Sequence, residues 1–172
     1  MKAEQVTGEQ EMEEWRGPKF DGGSICLGYG DDLLKRGTTR GNGVEGEDVT
    51  NNIKQIRSIP LSAAFSTYGV QQAEIRGEVM MSKKSFKKYN ELMEEEGLPV
   101  LANPRNAASG SLRIKDPKLV AKRNLEAFLY HVSYYTTLEG KKVSDERDHS
   151  KENISKREAP FTAHDESLKM LR

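Results

Sequence analysis

A single cysteine, Cys26, is the whole thiol complement of the 172-residue chain, so no internal disulfide can form. With three histidines and no Cys/His cluster at zinc-site spacing, a structural metal is excluded as well. No apolar run reaches transmembrane length, and Met1 is followed by polar, acidic sequence rather than a signal-peptide pattern, which predicts a cytoplasmic protein without a membrane partner. There is neither a Walker A loop nor a dinucleotide-binding G-x-G-x-x-G. Apolar residues are also scarce, at 35% against 31% charged, which predicts a thin core for one domain and suggests a fragment of something larger. Net charge is zero but unevenly spread. Residues 1–14 carry one lysine against five glutamates, whereas residues 82–125 carry ten Lys/Arg against five Asp/Glu. The second segment is a candidate phosphate-facing surface.

What is present reads as alternating strand and helix signals. Residues 1–14 are a polar lead-in. Ile25, Leu27 and Tyr29 share one face of a strand that begins at Ser24; after a Gly30-Asp31-Asp32 turn, a second strand runs from Leu33 to about Arg40. Val49, Ile53 and Ile56 fall at helical spacing as far as Pro60, with Glu47 and Asp48 at the end where the helix dipole favours negative charge. From Ala73 to Met81 the alternation returns, with Glu74, Arg76 and Glu78 on one face and Ile75, Val79 and Met81 on the other. Ser82 is positioned to cap a helix with an apolar stripe of Phe86, Tyr89 and Met93. A strand over Leu125–Tyr135 is expected to carry Phe128, Tyr130, Val132 and Tyr134 on one face. Residues 136–160 read as a long mobile loop, and a last helix is expected from His164.

Chemistry concentrates in four separated elements. Lys19-Phe20-Asp21-Gly22 sets a lysine beside a carboxylate at the entrance to a strand, a layout suited to a lysine nucleophile whose proton must be removed before it attacks. In an extended segment Lys19 and Asp21 lie on one side. Arg40 precedes a tight Gly41-Asn42-Gly43 turn, Arg76-Gly77-Glu78 forms a charged strand, and Arg105 and Arg113 bracket a run of small residues. A nucleophile with several cations suits phosphate-ester chemistry, where positioning and charge neutralisation do most of the work.

The order of these motifs resembles the adenylation domain of bacterial NAD-dependent DNA ligases. The match runs through Pro18-Lys19-Phe20-Asp21-Gly22, Thr38-Thr39-Arg40-Gly41-Asn42-Gly43, Gly46-Glu47-Asp48-Val49-Thr50-Asn51-Asn52-Ile53, Ile56-Arg57-Ser58-Ile59-Pro60, Glu74-Ile75-Arg76-Gly77-Glu78-Val79 and Ala102-Asn103-Pro104-Arg105-Asn106-Ala107-Ala108-Ser109-Gly110-Ser111-Leu112-Arg113, continues more weakly through Ala121-Lys122-Arg123, and resumes at His164-Asp165-Glu166-Ser167-Leu168. The resemblance implies an α+β nucleotidyltransferase fold, that of DNA ligases and mRNA capping enzymes, with antiparallel sheets flanked by helices. It implies NAD as nucleotide donor, magnesium, nicked double-stranded DNA as partner, a monomer, and nick sealing by way of lysyl-AMP.

On that pattern Lys19 is the covalent nucleophile and binds the nucleotide, Asp21 orients or activates it, and Arg40 and Glu78 contact the nucleotide, Glu78 through the ribose hydroxyls. Arg105 and Arg113 correspond to arginines near DNA phosphates. Gly17 stands where the family has a glutamate that reads the adenine amino group, and Asn42 stands where it has an aspartate. Residues 15–172 are therefore expected to be a partial adenylation domain, lacking the family's N-terminal nicotinamide-recognition module and its later lysine motifs. Two other readings are a catalytically inactive remnant that binds nucleotide or DNA, and a nucleotidyltransferase that uses ATP.

Overall fold

Alternation at period two dominates the middle of the chain, and it produces a sheet. A computed structural model describes residues 21–41 and 46–144. The lead-in at 1–14, Gly17, Lys19, Asn42 and the helix expected at His164 all lie outside the described residues. Five strands, β1 (Gly23–Gly30), β2 (Leu33–Thr39), β3 (Val70–Met80), β4 (Glu126–Thr137) and β5 (Lys142–Ser144), form one antiparallel sheet in the order β2-β1-β3-β4-β5. Four helices accompany it: α1 (Thr50–Ile53), α2 (Lys83–Glu95), α3 (Pro104–Ser111) and α4 (Pro117–Lys122). The architecture is α+β.

The expected inward set of β1 is buried throughout, Ile25 at 2%, Leu27 at 0% and Tyr29 at 3% exposure. On β3, Ala73 opposite Tyr29, Ile75 opposite Leu27 and Val79 opposite Gly23 are buried as well, while Glu74 and Glu78 keep partial exposure on the other face. The helical layer closes the apolar side. Ile53 of α1 fills the space beside Gly37, Leu112 lies against Gly23, and Phe65 meets the Tyr29 ring edge-on at 5.2 Å. Tyr29 is anchored at its polar end too, its hydroxyl donating to the Pro60 carbonyl at 2.7 Å. The β1–β2 turn places Asp31 and Asp32 at φ of 50° and 64°, the positive pair that a two-residue hairpin turn with the right twist requires. The Asp32 carboxylate accepts from both the backbone N–H and the hydroxyl of Ser66, bonds that lower its pKa.

Three expectations are corrected, and one segment to which the sequence assigned no element is a helix. The apolar spacing of Val49, Ile53 and Ile56 does bury all three, but α1 is a single turn. Asp48 precedes it and accepts from the Thr50 hydroxyl and N–H, bonds that lower its pKa, rather than occupying a first helical turn. The small-residue segment is the helix α3, and α4 follows it. Each begins with an Asx cap and a proline at the first position, Asn103-Pro104 and Asp116-Pro117, the side chain accepting from Asn106 and Lys118 N–H respectively. The stretch from 136 does not start as a loop, since β4 extends to Thr137 and pairs with β5.

On β4, finally, the even-numbered residues do not share one face. Ser133 and Tyr130 are each extra residues in the pairing with β3, and between them Val132 lies opposite Ile75 on the apolar side while His131 lies opposite Arg76.

Candidate functional site

At one end of the sheet the chain enters β1, leaves β2 and leaves β3, so the separated motifs are brought to one place by topology. Gly22 passes so close to β3 that a Cβ there would lie 2.1 Å from the Val79 carbonyl oxygen, which only glycine avoids. That approach lets the Gly22 N–H donate to Oε1 of Glu78 at 2.9 Å, and the Ser24 hydroxyl donates to Oε2 at 2.8 Å. Glu78 thus clamps Gly22 and Ser24, the first and third residues after Lys19-Phe20-Asp21.

Asp21 faces the other way. Its Oδ1 lies 2.9 Å from Nε of Arg105 on α3, with both side chains more than half exposed. An ion pair in that setting is worth at most about 1 kcal/mol and exchanges readily. Arg40 leaves the end of β2 with an exposed side chain, its N–H donating to the Ser24 carbonyl at 3.1 Å. Neighbouring Thr39 exchanges bonds with Glu47: the Thr39 N–H donates to the Glu47 carbonyl at 3.0 Å, and the Glu47 N–H donates to the Thr39 hydroxyl at 3.1 Å. Gly46 permits this return, because a Cβ there would lie 1.9 Å from the Thr39 carbonyl oxygen. Glu47 in turn accepts a charge-assisted hydrogen bond from Nε of Arg113.

The structure therefore joins Asp21 with Arg105, and connects Glu78, Arg40 and Arg113 through Ser24, Thr39 and Glu47. Lys19 falls outside the described residues. The residues that sequence reasoning passed over are Ser24 and Glu47, which partner the expected ones, and Arg123. The Arg123 guanidinium donates to the Ser111 hydroxyl at 2.7 Å and stacks over the Tyr89 ring at 5.3 Å, bracing α3 from behind. The Gly46-Glu47-Asp48 motif and the weaker match at Ala121-Lys122-Arg123 hinted at two of them.

The polar face of the sheet beside Glu78 carries Cys26, Glu74, Arg76 and Tyr134. Burial, and then the adjacent Glu74 carboxylate, push the Cys26 thiol up to about 12. This cysteine is a neutral strand residue, not a nucleophile. Among the described residues no group of three or more His, Cys, Asp or Glu side chains converges as metal ligands do. No helix among them is long and apolar enough to cross a membrane.

A family model described as the NAD-dependent DNA ligase adenylation domain matches residues 1–166. A DNA ligase of Sulfurihydrogenibium azorense is 59% identical over 130 residues, 76% of this chain and 18% of the relative. The DNA ligase of Aquifex aeolicus is 58% identical over 130 residues, with the same coverage of 76% and 18%. That of Listeria innocua is 50% identical over 115 residues, 67% of this chain and 16% of the relative. The chain thus spans less than a fifth of the length of these relatives, and within that span it belongs to the NAD-dependent DNA ligase adenylation domain family.

Proposed function

We propose that the chain is the nucleotide-accepting part of an NAD-dependent DNA ligase, with a nucleotidyltransferase fold, and that Lys19 becomes covalently adenylated on the way to sealing nicked duplex DNA. The observation that carries this reading is the clamp at Glu78: the backbone that follows the Lys19 motif is hydrogen-bonded to a carboxylate from a strand more than fifty residues away. NAD supplies the AMP group, whose α-phosphorus forms a bond to the lysine nitrogen as its bond to the departing nicotinamide mononucleotide breaks. The protein's own task is to hold a deprotonated amine in line with that phosphorus and to neutralise charge around it.

Asp21 orients Lys19 and accepts its proton. Its ion pair with Arg105 is weak enough to open when Arg105 turns toward a DNA phosphate. Glu78 suits a ribose, since a carboxylate has about four acceptor positions and Gly22 and Ser24 do not exhaust them. Arg40 contacts the nucleotide, and Arg113 joins Arg105 on the DNA backbone. Magnesium commonly binds through substrate phosphates and water with few carboxylates, so a phosphate-borne ion needs no dense protein cage. The activity is read as cytoplasmic and monomeric, as the family resemblance implies.

The test is intact mass after incubation with NAD and magnesium, and separately with ATP and magnesium, alongside Lys19→Ala. An AMP-sized adduct with NAD alone that disappears in Lys19→Ala is the expected result. An adduct with ATP alone would move the chain to a different donor class. No adduct with either, alongside retained DNA binding, would make it an inactive remnant.

A further inference from the structure

Asn52 is 6% exposed and sits in α1, about 60 residues before the arginine it reaches. Its amide nitrogen donates two hydrogen bonds, to the Leu112 carbonyl and to the Ile114 carbonyl, each at 2.8 Å. Those two carbonyls flank Arg113. Both hydrogens of one buried NH2 group are thus spent on the carbonyls of the residues before and after a single arginine, while the guanidinium of that arginine is held by Glu47 from the same Gly46–Ile53 motif. Glu47 is fixed in turn by its paired bonds with Thr39, the residue before Arg40. One short segment therefore grips Arg113 at its backbone and at its side chain.

Packing alone does not require this. Leu112, 1% exposed, already anchors the end of α3 in the core, and an apolar residue at position 52 would fill the volume. An apolar residue would leave these two carbonyls, which bracket Arg113 along the main chain, without the Asn52 donor. We infer that Asn52 is a positioning residue for Arg113: it fixes the place and direction from which the arginine reaches an anionic phosphate. The inference rests on the reading of Arg113 as a DNA-backbone contact given under the proposed function.

The test is binding of the chain to nicked duplex DNA between 50 and 200 mM salt. Removing one phosphate interaction lowers the slope of log affinity against log salt by about 0.9. Arg113→Ala is expected to lower the slope by about that amount, Asn52→Ala by the same, and the double variant by no more than either. A purely structural role for Asn52 would reduce the binding-competent fraction at every salt concentration and leave the slope unchanged, which would overturn the inference. If Arg113→Ala itself leaves the slope unchanged, the DNA-contact reading fails and this inference fails with it.

Asn52→Ser, which retains one donor in a smaller side chain, is expected to fall between. The unmodified chain gives an independent check in solution. Backbone amide order parameters over residues 112–114 are expected near the rigid value of about 0.85, and values below about 0.6 would overturn the inference even if every Asn52 variant failed to fold.

Discussion

Removing the Glu78 carboxylate is expected to destabilise the domain in the absence of any nucleotide. Its two oxygens hold the Gly22 N–H at 2.9 Å and the Ser24 hydroxyl at 2.8 Å, both partly buried. Hydrogen bonds to a charged acceptor contribute about 1.5–3 kcal/mol each when buried, and partial exposure brings these nearer to about 1–1.5 kcal/mol. Glu78→Ala should therefore cost about 2–3 kcal/mol, a large share of the roughly 5–15 kcal/mol that holds a domain folded. With a urea m-value of about 1–3 kcal/mol/M, the unfolding midpoint followed by circular dichroism should fall by about 1–2 M.

Ser24→Ala, which removes one of the two donors, should cost about 1 kcal/mol, and Glu78→Gln, which keeps one acceptor but not the charge, should lie between. The decisive quantity is the coupling in a double-mutant cycle. Once Glu78 is alanine, Ser24→Ala should cost close to nothing, giving a coupling of about 1 kcal/mol. Strict additivity of the two substitutions, or a loss below about 0.5 kcal/mol for Glu78→Ala, would refute the claim that this carboxylate holds β1 to β3.

Gly22→Ala places a methyl group 2.1 Å from the Val79 carbonyl oxygen, and the backbone shift it forces should cost about 1–3 kcal/mol in the same urea titration; a midpoint equal to that of the parent would show that the approach of the two strands is not tight. Cys26 has its thiol pushed up from 9.0 to about 12 by burial and then by Glu74, so the native protein at pH 8 should be alkylated about a thousandfold more slowly than the urea-unfolded chain, as read by mass spectrometry. Because the folded-state pKa is the higher one, this group's contribution to stability is full below about pH 9 and is lost as pH rises toward about 12; equal alkylation rates for folded and unfolded protein would refute it.

How much of this was legible beforehand depended on how local the signal was. Ile25, Leu27 and Tyr29 announce their burial by alternation alone, and Ser82 its cap by side-chain chemistry, because both follow from a few adjacent residues. The caps at Asn103-Pro104 and Asp116-Pro117 were equally local. Between Pro104 and Ser111, glycine, serine and alanine read as permissive backbone, which masked α3. The face reversal on β4 was not legible, because a bulge is fixed by the partner strand and nothing in Tyr130 or Ser133 requires one.

At the site, motif order put forward Asp21, Arg40, Glu78, Arg105 and Arg113 as candidates, whereas the Asp21–Arg105 pair and the Asn52 grip on Arg113 are legible only in three dimensions. They join residues 84 and about 60 positions apart, across contacts that no periodicity encodes.

The two bulges on β4 have a consequence for how this sheet tolerates change. Leaving out Tyr130 and Ser133, the strand reads Leu129, His131, Val132, Tyr134, an unbroken alternation of apolar and polar faces against β3. The two residues behave as a matched pair of insertions. Either one without the other would throw one stretch of β4 out of phase with its partner, yet together they leave the inside and outside of the strand as they would be without them. What they add is local twist. The local twist of β4 against the middle of β3 is thus written in two positions that can change jointly while the core composition stays the same.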